Sequence, residues 1–318
     1  MSKRIELYDT TLRDGTQMQG VNLSLKDKLE LTTALDKLGV DYIECGYPLS
    51  NPKDAKLFEE LATRTFRHAK ITAFGMTRRR GVEAKDDVGM NALLDSGAPV
   101  ITIVGKTWDL HLRDVLRVSD EENIEMIADS VGLMVERGRE CFYDAEHFFD
   151  GYNSNPDYAL ATLGAALDAG ASRLVLCDTN GGATTEAISS TIAVVLANYP
   201  DAKLGVHCHN DSDLAVANSL AAITAGAMQV QGTINGIGER CGNANLISVA
   251  ANLHFKYDCD VLIDGAIKKL THISCLVNEL ANLNPNDGQS YVGPAAFAHK
   301  GGMHVHAVQR NTKTYEHI

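Results

Sequence analysis

The sequence predicts an α/β fold: a (β/α)8 (TIM) barrel with a short, partly helical C-terminal appendage. Two observations carry this. Eight short apolar runs alternate with longer amphipathic segments, and the eight units fit within about 250 residues, the usual size of such a barrel. Gly39, Gly97, Gly170 and Gly226 each stand between a helical pattern and the next apolar run, where a left-handed glycine closes a helix.

The expected strands are Ile5–Tyr8, Tyr42–Cys45, Lys70–Phe74, Val100–Val104, Glu140–Asp144, Arg173–Cys177, Leu204–His207 and Met228–Gln231. Between the first two, Ser24 can cap a helix with Asp27 three residues later, and Leu25, Leu29, Thr32, Leu35 and Leu38 recur on one helical face. Ser119 with Glu122, and Asn155 before Pro156, mark two further helix starts. An open doubly wound sheet normally uses fewer strands, and no Gly-rich dinucleotide loop follows strand one. After Ala251 the rhythm breaks. Residues 1–255 are therefore read as a catalytic barrel. Residues 256–318 are read as a linker or lid segment, helical over Asp264–Leu283 and turning at Asn284–Gly288.

Lys and Arg number 29 against 41 Asp and Glu, a formal charge of -12. That balance argues against general binding of nucleic acid or anionic membrane. Apolar runs such as Pro99–Val104 are too short to span a bilayer. The N-terminus enters a strand without a signal-peptide core, and seven scattered Cys with no CxxC pair read as reduced thiols. A cytoplasmic protein is expected.

In a barrel the C-terminal strand ends face the active site. Polar residues recur there: Asp9, Arg13 and Asp14; Glu44; Arg78–Arg80; Glu146 and His147; Asp178–Asn180; His207, His209, Asn210 and Asp211; Glu239, Arg240 and Asn243. In His207-Cys208-His209 the period-two geometry puts both imidazoles on one face and Cys208 on the other. With Asp14 they make a mixed N/O site for a divalent metal, to which Asn243 can add an amide oxygen. Imidazole favours softer ions and carboxylate harder ones, so Zn, Mn, Mg and Co all stay open. The bland alternative is two histidines bonded to carboxylates.

Arg13 can stabilise negative charge beside the metal, or be an ordinary buried partner of Asp14. Glu146 reads as a proton acceptor if burial raises its pKa, or as a carboxylate orienting a histidine. Arg78-Arg79-Arg80 can meet an anion or form a solvated face. Glu44 and Arg78 join Arg13 and Thr179 as candidate substrate contacts. Cys241 reads as a small buried residue, and Cys45, Cys141 and Cys177 as core. His304, in a glycine-flanked segment, is either a proton carrier reaching a site from outside the barrel or a loop histidine.

Three of these segments carry a resemblance: Asp9-Thr-Thr-Leu-Arg-Asp-Gly-Thr-Gln17, His207-Cys-His-Asn-Asp211 and Gly236-Ile-Gly-Glu-Arg-Cys-Gly-Asn243. They resemble the signatures of the metal-dependent TIM-barrel superfamily of isopropylmalate synthases and HMG-CoA lyase-like enzymes. Within it, Lys106-Thr-Trp-Asp-Leu-His111, Asp144–Gly151, Leu176–Gly182, Gln229–Asn235, Ala298–His304 and Tyr315–Ile318 are most similar to citramalate synthases. The resemblance implies an acyltransferase that condenses acetyl-CoA with pyruvate to (R)-citramalate and CoA, for isoleucine biosynthesis, working as a homodimer.

By the same resemblance, Asp14, His207 and His209 bind a divalent cation, with Asn243 as a further ligand. Thr179 holds the 2-oxo acid's carboxylate, and Arg13 stabilises the keto oxygen. Glu146 positions or deprotonates acetyl-CoA, and His304 and Tyr315 complete the site, in the neighbouring subunit. A lyase would carry a Gly-Cys-Pro loop where this chain reads Gly238-Glu-Arg-Cys-Gly242. The rival activity is 2-isopropylmalate synthase with 2-oxoisovalerate, homocitrate synthase being more remote, and a catalytically weak ligand-binding paralogue is the non-enzymatic alternative. The family's C-terminal regulatory domain is expected to be absent.

Overall fold

The computed structural model describes residues 3–315. The expected residues 316–318 of the tail lie outside that range. Eight parallel strands close into a barrel: β1 (Glu6–Asp9), β2 (Tyr42–Gly46), β3 (Lys70–Met76), β4 (Val100–Lys106), β5 (Glu140–Glu146), β6 (Arg173–Asp178), β7 (Leu204–Cys208) and β8 (Gln229–Gly232). A helix follows each strand: α1 (Leu25–Leu38), α2 (Pro52–Ala62), α3 (Val88–Asp95), α4 (Asp120–Glu136), α5 (Pro156–Asp168), α6 (Thr185–Asn198), α7 (Ala215–Ala225) and α8 (Leu246–Tyr257). The strands match the sequence reading to within a residue or two. Most run one or two residues further at their C-terminal ends, where the functional side chains sit.

Local chemistry fixes these elements. The Ser24 hydroxyl accepts the N–H of Asp27, whose carboxylate accepts that of Ser24, so two orphan donors of α1 are satisfied. Gly39 ends α1 at φ 89°, and a Cβ there would meet the Ile263 backbone N at 2.9 Å. Both requirements select glycine. Asn155 caps α5 with Pro156 at its first turn.

The barrel interior is layered. Tyr8, Tyr42, Val100 and Phe142 form a buried lower plug. Tyr42 and Phe142 meet edge to face at 4.9 Å. Below them the Arg173 guanidinium donates to Glu6 at 2.5 and 2.9 Å, closing the N-terminal end, the face that reads as stability rather than chemistry. Above the plug the inward residues turn polar: Glu44, Thr102, Asp144 and Gln231 are all buried. The apolar faces of the helices pack on the outer strand faces in one continuous core.

Two features had no readable signal. Lys3–Arg4 pairs in parallel with Cys259–Asp260, tying the end of the barrel to its start, and two residues carry no period. The Asp264–Leu283 segment divides into a 3-10 turn, Ala266–Lys269, and α9 (Leu270–Leu280). Helix α9 buries Leu270, Ile273 and Val277. Further on, α10 (Gly302–Arg310) buries no residue, and Phe297 and Met303 beside and within it are largely exposed. No helix among the described residues is long and apolar enough to cross a membrane.

Candidate active site

The loop after β1 folds back through hydrogen bonds from Arg13 and Gly15 N–H to the Thr10 carbonyl. This turn delivers Asp14 to the barrel mouth. Strand β7 delivers His207, and His209 follows one residue beyond it, bridged to Asn243. Asp14 Oδ2 lies 3.2 Å from His207 Nε2 and 3.8 Å from His209 Nε2, and the two ring nitrogens are 3.3 Å apart. All three residues are buried, and their ligand atoms lie within 4.8 Å of one another. Cys208 points into the outer core, as alternation requires.

The donor set fits a divalent cation. Gln231 Oε1 accepts from His207 Nδ1 at 2.9 Å, which makes Nε2, facing the cluster, the nitrogen that would give its lone pair to a cation. Burial and the nearby His207 push His209 down to about 3, so its imidazole is neutral. Burial works to raise Asp14, but Arg13 and the two histidines outweigh it and hold the carboxylate well below its usual range. Burial alone would lower His207, whereas its hydrogen bond to Asp14 raises it. Asn243 Nδ2 donates to Asp14 at 2.7 Å, while Oδ1 is buried with no partner. Turning that amide exchanges the two atoms and adds an oxygen to the cluster. Gly238 makes room for it, since a Cβ there would fall 1.9 Å from Asn243 Oδ1.

Support for His207 continues downward. Gln231 Nε2 donates to Asp144 at 3.0 Å, and burial with nearby Glu44 pushes Asp144 up to about 7. Replacing Gln231 by Leu removes the acceptor that fixes the His207 tautomer. Calorimetric titration of the Gln231→Leu variant with Mn2+ is expected to show about tenfold to hundredfold weaker binding. Unchanged affinity would show that the tautomer is set elsewhere.

Arg13 stacks on Phe74, its guanidinium carbon 3.9 Å from the ring centroid, and reaches to 3.7 Å from Asp14 Oδ1. Its Nε donates to Glu44 at 2.6 Å, and the other Glu44 oxygen accepts from the Tyr8 hydroxyl at 2.7 Å. Glu44, expected to contact substrate, is fully buried with both oxygens taken. Inward alternation places it one layer below the mouth, where its contact is with Arg13 rather than with the cavity.

Thr179 follows β6 directly. Its hydroxyl accepts the His147 N–H at 2.8 Å, which frees the hydroxyl proton for an anion in the cavity. Its carbonyl accepts from Arg240, which also grips Asp211. His147 has a left-handed φ of 54°, a conformation that costs a non-glycine residue. Asp150, 3.0 Å from Nδ1, and the His111 ring, 4.6 Å away, hold it there. Glu146 ends β5 and pairs with Lys106.

Arg13, Asp14, Lys106, Glu146, Thr179, His207 and His209 line one cavity of about 360 Å³, with Asp144 and Cys177 in its wall. Cys177, read from sequence as core, thus faces inward. Cys241 is exposed rather than buried. Asp9 faces away from the cavity, on the opposite side of β1 from Tyr8, with Thr11 donating to both its oxygens. Burial pushes it up to about 7.

Arg78 stands apart from this cavity. Its Nε donates to Asp129 of α4 at 2.7 Å, and it lines an adjoining hollow of about 660 Å³ that shares Tyr47 and Met76 with the mouth. Arg79 pairs with Asp87, and Arg80 donates to the Arg117 carbonyl. His304 and Tyr315 bond to each other on the exposed tail and do not line this chain's own cavity. Sequence reasoning left Gln231, Asp144, Tyr8 and Lys106 without roles. Their signal was inward parity on strands that end at functional residues.

A family model described as HMGL-like matches residues 4–277, and one described as homocitrate synthase post-HMGL domain-like matches residues 291–318. The chain is 50% identical over 318 residues to the (R)-citramalate synthase of Aquifex aeolicus, covering 100% of this chain and 60% of the relative. It is 37% identical over 320 residues to the 2-isopropylmalate synthase of Shouchella clausii, covering 99% and 61%. The chain thus spans about three-fifths of the length of the curated relatives it matches. The crystal structure of hydroxymethylglutaryl-CoA lyase from Pseudomonas aeruginosa superposes with a TM-score of 0.75 at 20% identity, covering 93% of this chain and 97% of that one. At that identity the likeness is one of fold.

Proposed function

The chain belongs to the HMGL-like family, and on that premise we propose that it condenses acetyl-CoA with pyruvate to give (R)-citramalate and free CoA. The observation that carries the reading is the buried Asp14, His207 and His209 cluster at the barrel mouth, beside Arg13 and Thr179. The substrate choice draws support from the identity of 50% to a citramalate synthase against 37% to a 2-isopropylmalate synthase.

Asp14, His207 and His209 would hold a divalent cation, with Asn243 as a further ligand. When bound, the cation supplies Lewis acidity at the keto group and a template for the 2-oxo acid. The Thr179 hydroxyl donates to the pyruvate carboxylate. A base takes a proton from the acetyl methyl, and the carbanion equivalent forms the new bond to the keto carbon. The keto oxygen gains the electron pair of its C=O bond, then a proton. Arg13, preorganised by Glu44 and Phe74, stabilises that developing charge. Glu146 faces the same cavity as a fixed carboxylate for the acetyl group. Water then cleaves the citramalyl thioester, releasing citramalate and CoA.

The exposed His304–Tyr315 pair fits a homodimer in which each tail completes and covers the partner's cavity, limiting water until the carbon–carbon bond has formed. A cytoplasmic setting accords with seven free cysteines. The test is a free-thiol assay with acetyl-CoA and a panel of 2-oxo acids. Pyruvate is expected to give the highest kcat/KM. A preference for 2-oxoisovalerate would move the activity to that of a 2-isopropylmalate synthase, and no release with any acid would overturn the Claisen reading.

A further inference from the structure

Lys106 ends β4 directly opposite Glu146, its register partner on β5. Alternation turns Val104 and Lys106 inward on one strand and Asp144 and Glu146 inward on the other, and all four line the mouth cavity. The Lys106 ammonium pairs with the Glu146 carboxylate. The main chain is pinned at both residues. The Asn123 amide donates to the Lys106 carbonyl at 2.9 Å, and the Thr107 hydroxyl donates to the Glu146 carbonyl at 2.6 Å. Asn123 is itself fully buried and also donates to the Tyr158 hydroxyl at 2.7 Å.

The position of the pair separates it from a merely stabilising one. The ion pair of Arg173 with Glu6 closes the opposite, N-terminal end of the barrel. The Lys106 pair lies in the wall of the cavity that holds the Asp14, His207 and His209 cluster. An unpaired glutamate there would sample several rotamers and lose that freedom only as substrate arrives. A lysine side chain 14% exposed and anchored by strand register holds the carboxylate in place beforehand.

We propose that Lys106 is a positioning residue, fixing the Glu146 carboxylate at the wall of the cavity for the acetyl group. The proposal rests on the Claisen reading above. CoA release with pyruvate is measured for the full chain and for the Lys106→Met, Lys106→Arg, Glu146→Gln and doubly substituted K106M/E146Q variants. Lys106→Met is expected to lower kcat about tenfold or more, within what a positioned acid–base group contributes, with little change in KM for pyruvate. Lys106→Arg recovers most of the loss. In the Glu146→Gln background, Lys106→Met adds nothing further, because the two residues act as one unit. Losses that multiply independently, or a rise in KM alone, would overturn the proposal.

A second readout needs no turnover. Reductive 13C-methylation keeps the lysine charge and gives Lys106 its own methyl resonance, assigned by its loss in Lys106→Arg. Glu146→Gln is expected to move that resonance toward those of exposed lysines. If the wild type releases no CoA, the Claisen reading fails, and the methyl resonance then judges the pair alone: a resonance unmoved by Glu146→Gln overturns it.

Discussion

Asp14→Asn is expected to abolish metal binding and, with it, CoA release. Asp14 supplies the only carboxylate of the cluster, 3.2 and 3.8 Å from the two imidazole nitrogens. Asparagine keeps the size but removes the charge that would draw a divalent cation to the two imidazoles. A residue that would both hold the ion and balance Arg13 leaves no partial substitute, so the loss should exceed about a thousandfold, more than one oxyanion donor is worth. Mn2+ titration calorimetry and the thiol assay check the two halves separately. Thermal unfolding of the metal-free proteins is the control, and similar midpoints separate lost chemistry from lost fold. A variant that still binds one Mn2+ per chain with wild-type affinity would remove Asp14 from the site.

Glu44→Gln is the second large effect, and it should appear in both stability and rate. Glu44 is fully buried and accepts from Arg13 Nε at 2.6 Å and Tyr8 at 2.7 Å. Its loss leaves a mostly buried guanidinium without its main counter-charge. Breaking such a pair costs about 3 kcal/mol or more, readable as a lower urea midpoint. In the proposed mechanism Arg13 would also lose the anchor that aims it at the keto oxygen, so kcat should fall about a hundredfold, as for one oxyanion donor. If the urea midpoint falls while kcat is unchanged, Arg13 is held by Phe74 and Asp14 alone.

The strands and the metal cluster were legible in the sequence for a common reason. Both depend on local period: apolar runs of four or five residues, half of them preceded by a glycine, and two histidines at a spacing that strand geometry forces onto one face. The rule that strand ends face the site brought in Asp14 and Asn243, far away in the chain, and the family motifs agreed. Glu44, Arg78 and Lys106 were not legible in the same way. Each sits at or near a strand end, but its role depends on parity and on what the neighbouring strand offers. Glu44 lies one layer down and serves Arg13. Arg78 follows β3 and turns outward to Asp129. Lys106 meets Glu146 through a register that the sequence does not print.

Metal dependence of the condensation tests the account most directly. The chain is stripped with a chelator, assayed with acetyl-CoA and pyruvate, then titrated with a divalent cation while free thiol is followed. Thiol release is expected to fall to background on stripping and to return in full with one ion per chain, and Asp14→Asn should not recover. Release that persists in the stripped protein, or that returns equally in Asp14→Asn, would contradict a reaction built on Asp14, His207 and His209.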